Sequence, residues 1–162
     1  MNMLKRILKI ASLVLGTLIV LVLLFYTKIY ISTNARLNKR YEVTAHTLPI
    51  KYDSASYELG KRLIVAKGCT DCHGDDLGGK VFIDDPALGL IVARNITYGK
   101  GGLASGYDEY DWTLALKHGI RRNMKPLWIM PSHEYTRFSD TEVAAIIAYA
   151  SRFPNVDREL PK

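Results

Sequence analysis

The distribution of apolar and polar residues divides the chain into an apolar N-terminal run and an amphipathic remainder. Residues 10–26 contain no charged residue. As a helix this run spans about 26 Å at ~1.5 Å per residue, close to the ~30 Å hydrocarbon core of a bilayer. Lys9 and Lys28 can extend their ammonium groups toward the lipid headgroups. The pattern predicts a transmembrane anchor over residues 1–31 and a polar stalk over residues 32–54.

A cleaved secretory signal peptide is the alternative interpretation, because basic residues precede the apolar run. The apolar run is longer than the ~7–15 residues usual in signal peptides, and no small-x-small cleavage site follows it directly. We therefore favour an uncleaved anchor.

The remainder, residues 55–162, shows helical periodicity, and no run alternates convincingly enough to be a strand. Ser139 and Glu142 form a capping box, the clearest helix start in the chain. Three helices are predicted: one capped by Ser54 and running to about Ala66, one from Glu109 to His118 after an Asp108 cap, and one from the Ser139 cap that stops before Pro154. We expect an all-α domain, in which a large apolar cofactor would explain the long loop between the first two helices.

The net charge of +6 is concentrated near the N-terminus. Basic residues surround the apolar run, and no acidic residue precedes Glu42. From Tyr57 onward, acidic and basic residues are equal in number. A nucleic-acid-binding protein concentrates positive charge on its folded domain, so we exclude that class of partner.

The chain has two cysteines, Cys69 and Cys72, followed directly by His73. A disulfide between them would close almost no loop and would stabilise little. Cys-x-x-Cys-His is the arrangement of c-type haem attachment. Two thiols one turn apart can add to the two vinyl groups of the porphyrin, and the next histidine can then bind the iron. The motif predicts Cys69 and Cys72 as covalent haem attachment positions and His73 as the proximal iron ligand.

Three other interpretations compete for this motif. A thioredoxin-like redox pair needs a surrounding βαβ unit, which the pattern lacks. A structural zinc site needs two more ligands, and the candidates His118 and His133 lie far apart without a paired signature. Chance occurrence of the five-residue motif is the third interpretation. The apolar N-terminus and the lack of any other cysteine favour haem.

An electron-carrying haem needs a sixth ligand, and a methionine thioether raises its reduction potential. Met130 is the best candidate for the distal iron ligand, since Pro131 follows it and apolar residues precede it. Met124, His133 and His118 are weaker alternatives.

By these residues the chain resembles the class I cytochromes c, especially membrane-bound monohaem forms and cytochrome subunits of periplasmic dehydrogenases. The resemblance covers roughly residues 55–161. Its matching segments are residues 68–74, 77–79, 95–97, 112 with 115–119, 127–131, 148–150 and 153–154. The segment Arg122-Asn123-Met124-Lys125 departs from the family, whose members often have Asp-Gly there.

The resemblance implies one covalent haem c in a pocket below the first and last helices of the domain, which cross. Gly60 would allow these helices to approach closely, with Tyr149 or Ile146 packing over it. His73 and Met130 would bind iron from opposite faces. Asn95 and Thr97 would lie near the haem propionates. Such haem is attached outside the cytoplasm, so the domain would face the periplasm, anchored in the bacterial inner membrane.

These features predict a single-electron carrier rather than an enzyme. The first hypothesis is a tethered carrier between a quinol-oxidising complex and a terminal oxidase. The second is the electron-accepting cytochrome subunit of a periplasmic dehydrogenase. A haem sensor, with a labile sixth ligand, is a third and weaker hypothesis.

Overall fold

The computed structural model describes residues 2–161 and divides into two compact units, one ending at Tyr41 and one beginning at Glu42. The first unit contains helix α1 (Asn2–Asn38). Among the described residues, this is the one helix long and apolar enough to cross a membrane, judged by length and composition. The same properties fit an anchor and a signal sequence.

The second unit is largely helical, which confirms the predicted fold class. Its elements, in chain order, are α2 (Ser54–Ala66), α3 (Cys69–His73), β1 (Lys80–Asp85), β2 (Gly89–Ala93), α4 (Glu109–Thr113), a π-helical turn (Leu114–His118), α5 (Ser132–Tyr135) and α6 (Asp140–Ala150). The three predicted helices correspond to α2, to α4 with its π-helical turn, and to α6.

The segment expected to be a stalk, residues 32–54, has a different structure. Its first part continues α1 to Asn38. Its second part packs onto the second unit, where Leu48 is only 3% exposed and belongs to the core. Ala45 is also buried, and Ile50 packs against the core. This short apolar segment has no helical or strand periodicity, so sequence patterns alone do not distinguish it from a solvated linker.

The helix starts follow from their capping residues. Asp108 and Asp111 form a capping box at α4, and Ser139 and Glu142 form one at α6, as predicted for the latter. At α2 the cap is Asp53, whose carboxylate accepts from the Ser56 N–H at 2.7 Å. The prediction of Ser54 as cap was therefore one residue late. Each cap satisfies backbone N–H groups that the first helical turn leaves without partners.

Helices α2 and α6 cross in close contact at Gly60. A Cβ atom at Gly60 would collide with the backbone of Ala145 and lie 2.8 Å from Tyr149 Cβ. Beside the crossing, the rings of Tyr57 and Tyr149 pack with centroids 4.8 Å apart. This confirms the predicted close approach. Every α6 residue from Val143 to Ala150 is buried, so this helix is the centre of the core.

The hairpin of β1 and β2 contradicts the prediction that the domain has no strand. The two strands pair antiparallel, and the register shifts between Val81 and Ile83. Phe82, at this irregularity, is 44% exposed. The bulge breaks the alternation of apolar and polar positions that marks a half-buried strand, which is why the pattern did not reveal it. The hairpin occupies part of the loop that lacked predicted structure.

Gly60→Ala should destabilise the protein despite the better helix propensity of alanine. Alanine contributes about 1 kcal/mol in a helix relative to glycine. Overpacking against a backbone costs about 1–3 kcal/mol, and Ala145 cannot move without displacing the buried α6. We expect a net loss of unfolding free energy, measured by denaturant titration of the haem-loaded protein. Lys61→Ala, at the next and exposed position, should change stability by less than about 0.5 kcal/mol. An unchanged midpoint for Gly60→Ala would contradict the described crossing.

Candidate haem site

The attachment motif lies on α3, directly after α2. Gly68, between the two helices, has a left-handed φ of 70°, a conformation that glycine adopts without steric penalty. This turn redirects the chain so that Cys69 and Cys72 lie one helical turn apart. Neither cysteine forms a disulfide. Cys69 packs against the buried apolar cluster, and its burial raises the pKa of its thiol.

His73 ends α3 and is oriented by a backbone acceptor. Its Nδ1 lies 2.8 Å from the carbonyl oxygen of Arg94. Because a carbonyl only accepts, Nδ1 carries the proton and Nε2 keeps a free lone pair. Burial lowers the pKa of His73, although the hydrogen bond to Arg94 opposes that shift. The histidine is therefore presented in the neutral tautomer that a metal ligand needs.

The buried cluster beside the motif suits a large apolar cofactor. Cys69 and Met130 pack against the same cluster, which includes Leu116 and Tyr135. Trp112, 5% exposed, belongs to this cluster, and its indole Nε1–H has no hydrogen-bond partner in the described part of the chain. A buried donor is normally satisfied, so an acceptor from outside the chain would fit there. A thiol pair, an oriented imidazole and a thioether are the donor types that a c-type haem takes.

Met130 is half-buried, and the loop that carries it is fixed just after it. Ser132 is buried; its N–H donates to the Met130 carbonyl at 2.8 Å, and its hydroxyl donates to the Ala115 carbonyl at 2.8 Å. Gly119 follows the π-helical turn in a left-handed conformation and lies against the Ser132 side chain. The Met130 segment is thus attached to the end of that turn.

Met124, His118 and His133, the weaker candidates for the distal iron ligand, have surroundings that differ from those of Met130. Met124 lies in a tight turn with a left-handed φ of 64°, and its N–H donates to the Arg121 carbonyl at 2.7 Å. This turn is the geometry adopted by the segment that departs from the family. His118 and His133 are exposed. Across residues 2–161, no three histidine, cysteine or acidic side chains are grouped to hold a metal ion.

Asn95 and Thr97 are buried, and they form hydrogen bonds with each other and with Val156. The Asn95 carboxamide oxygen accepts from the Thr97 N–H and hydroxyl, and its Nδ2 donates to the Val156 carbonyl at 2.7 Å. Thr97 Oγ1 also accepts from the Val156 N–H at 3.0 Å. Proximity of these two residues to the haem propionates stays a prediction. The structure gives them a role in holding the segment around Val156.

Three groups beside Cys69, His73 or Met130 were not predicted from the sequence. The carbonyl of Arg94 is a backbone atom, and side-chain patterns carry no signal for it. Tyr135 interacts through its side chain with Cys69, and its burial raises its pKa. Ser132 follows Met-Pro, where a small polar residue could have indicated a buried hydrogen bond to the preceding turn.

A comparison with protein families shows which family the chain belongs to. The family profile described as Cytochrome c matches residues 57–151, more than half of the chain. The chain belongs to the cytochrome c family. Membership confirms the resemblance drawn from the sequence, and it means that this cytochrome c binds haem c covalently and carries electrons.

Curated relatives are cytochrome subunits of dehydrogenases. The chain is 33% identical over 132 residues to the fructose dehydrogenase cytochrome subunit of Gluconobacter japonicus, covering 77% of this chain and 27% of that protein. It is 30% identical over 102 residues to the cytochrome c subunit of alcohol dehydrogenase (quinone) from Gluconobacter oxydans. That match covers 60% of this chain and 21% of that protein. The gluconate 2-dehydrogenase cytochrome c subunit of Pantoea cypripedii is also 30% identical over 102 residues. That match covers 60% of this chain and 23% of that protein.

This cytochrome c therefore spans about a quarter of the length of the curated relatives it matches. No solved structure matches it.

Ser132→Ala should loosen the Met130 segment by a measurable amount. It removes one buried hydrogen bond, while the Ala115 carbonyl keeps the Gly119 N–H as a donor at 3.2 Å. We expect a loss of about 1 kcal/mol in unfolding free energy. Thr136→Ala removes an exposed hydroxyl that donates to the His133 carbonyl at a similar 2.8 Å, and it should change stability by less than about 0.5 kcal/mol. Equal effects of the two variants would contradict the role of Ser132.

Proposed function

We propose that this protein is the electron-accepting cytochrome of a periplasmic dehydrogenase complex. The observation that carries this proposal is that the curated relatives reported above are all cytochrome subunits of dehydrogenases. They support the second hypothesis drawn from the sequence over a carrier between a quinol-oxidising complex and a terminal oxidase. The substrates named for those relatives are fructose, an alcohol and gluconate.

The residues of the motif take the following roles in this proposal. Cys69 and Cys72 would hold the haem through thioethers, and His73 Nε2 and Met130 Sδ would bind its iron. When bound, haem supplies a reversible one-electron change between Fe(III) and Fe(II). The Arg94 carbonyl holds the His73 tautomer and raises the basicity of the ligating nitrogen. Two protein ligands leave no open iron position for substrate, as suits an electron carrier.

Helix α1 is the proposed membrane anchor. It is 37 residues long and carries its apolar run between Lys9 and Lys28. About 20 apolar residues suffice to span a bilayer, so α1 has the required length. The proposal places the protein in the bacterial inner membrane as a single-pass protein, with the haem domain in the periplasm.

Met130→Ala tests the axial ligand. The oxidised variant should lose the methionine-to-iron charge-transfer band and the reduced variant should bind carbon monoxide, because the sixth position opens. Met124→Ala is the matched control and should keep the wild-type spectrum. A band that survives Met130→Ala, or is absent from the wild type, would refute the assignment and favour the haem sensor.

Purification from native membranes tests the complex. In mild detergent, the cytochrome should co-elute with a dehydrogenase, and an alcohol, a sugar or a sugar acid should reduce its haem within that preparation. The same cytochrome isolated from its complex should not respond to these compounds, since it carries no substrate site of its own in this proposal. Reduction by a quinol-oxidising complex alone, with no dehydrogenase present, would support the carrier hypothesis instead.

A further inference from the structure

Residues 155–159, here called the strap, cross the loop that follows β2. Val156 bonds to Asn95 and Thr97 through both its N–H and its carbonyl. Further along, the Arg158 N–H donates to the Lys100 carbonyl at 2.9 Å, and the Lys100 N–H donates to Asp157 Oδ1 at 2.7 Å. The strap is thus bonded to this loop at successive positions.

The loop is shaped to accept the strap. A Cβ atom at Gly99 would collide with the backbone of Val156, and one at Gly101 would collide with the Arg158 carbonyl. Both contacts are with backbone atoms, which cannot rotate away as a side chain can. Glycine at these positions is therefore required for the strap to lie where it does.

The Arg158 side chain makes a second set of contacts, close to the haem motif. Its guanidinium donates to both carboxylate oxygens of Asp76, at 2.7 and 3.1 Å, and to the Gly79 carbonyl at 2.9 Å. Arg158 lowers the pKa of Asp76, so the pair is ionised at neutral pH. Gly79 is buried, and this two-point arrangement with a carboxylate fixes the orientation of the guanidinium.

Both sets of contacts hold backbone segments that are hydrogen-bonded to His73. The Gly79 N–H donates to the His73 carbonyl at 2.7 Å, and Gly79 packs against the backbone of residues 93–95 without room for a side chain. Arg94, within that backbone, provides the acceptor for His73 Nδ1. Asn95, next in the chain, is bonded to Val156. The strap therefore holds the backbone on both sides of the imidazole hydrogen bond.

We propose that Arg158, paired with Asp76, is a positioning residue for the axial histidine, and that the strap sets the hydrogen bond between His73 Nδ1 and the Arg94 carbonyl. This inference rests on the proposed role of His73 as iron ligand. An isolated surface ion pair contributes about 0–1 kcal/mol to stability. Arg158 and Asp76 are 40% and 43% exposed, so their main effect is expected on the histidine rather than on global unfolding.

The consequence is electronic as well as geometric. A stronger Nδ1–H···O bond makes the imidazole a better donor to the metal. Electron donation stabilises Fe(III) over Fe(II) and lowers the reduction potential. When the strap is released, the bond lengthens, the Nδ1 proton becomes accessible to water, and the potential rises.

The test uses the haem-loaded full chain labelled with ¹⁵N-histidine. In Arg158→Gln, exchange of the His73 Nδ1 proton with solvent should be about three- to fivefold faster, which corresponds to about 0.7–1 kcal/mol. The midpoint potential should shift upward. Asp76→Asn should reproduce both effects, and the double variant should add little, because the two residues act as one pair. Arg158→Lys keeps the charge but loses the two-point contact, so its exchange rate should be intermediate.

Arg152→Gln is the matched control. Arg152 also donates to a backbone carbonyl, that of Tyr52 at 3.3 Å, and lies over the Tyr52 ring. This variant should leave the His73 proton and the potential unchanged. Global unfolding free energy, measured on every variant, separates local exchange from general destabilisation.

The outcomes separate the two proposals. If His73 shows the iron-shifted resonances of a ligand but Arg158→Gln and Arg158→Lys both exchange at the wild-type rate, the positioning role is refuted and the ligand assignment stands. If the His73 resonances of the wild type are not shifted by the iron, the ligand assignment itself fails. If Arg158→Gln does not fold, Arg158→Lys and Gly99→Ala provide the same measurement, and wild-type exchange in both refutes the proposal.

Discussion

The crossing of α2 and α6 at Gly60 is the constraint on which the rest of the domain depends. The absence of a side chain at Gly60 lets α2 approach the backbone of Ala145. Helix α3 follows α2 after a short turn, and α5 directly precedes α6, so both segments that carry iron-ligand candidates are attached to this pair of helices. The position of the motif relative to the core therefore follows from one close helix contact. Even one additional methyl group at this contact acts on both segments.

The buried polar contacts have a different role from that of the apolar core. Most of the buried polar side chains described here lie away from the helix crossing. Asn95 and Thr97 bond to the strap, and Ser132 bonds to the π-helical turn. These bonds contribute about 1 kcal/mol each to stability, much less than the apolar core. These hydrogen bonds have a defined direction, and each one fixes a segment next to a candidate haem-binding residue. The core holds the domain together, and the polar contacts determine how the ligand segments are oriented.

The sequence predicted the parts of the structure that short patterns encode. The Ser139–Glu142 capping box marks the start of α6, and the motif from Cys69 to His73 indicates haem attachment, because both patterns are local and have a specific spacing. The hairpin was not predicted, because its bulge at Phe82 breaks strand alternation. The packing of Leu48 was missed because a short apolar segment resembles a linker until its partners are known. The Arg94 acceptor is a backbone atom, so no residue type reveals it.

The strap also has a consequence for the order in which the domain is assembled. Arg158 lies 82 residues after Asp76 along the chain, so the segment around Asp76 is synthesised well before the strap. Domains form progressively as the chain emerges from its N-terminal side. At that stage, neither Arg158 nor Val156 has reached the backbone around His73. The segment of Cys69, Cys72 and His73 is then held only by contacts that lie nearer in the sequence. The strap contacts are therefore among the last of this domain that can form during synthesis.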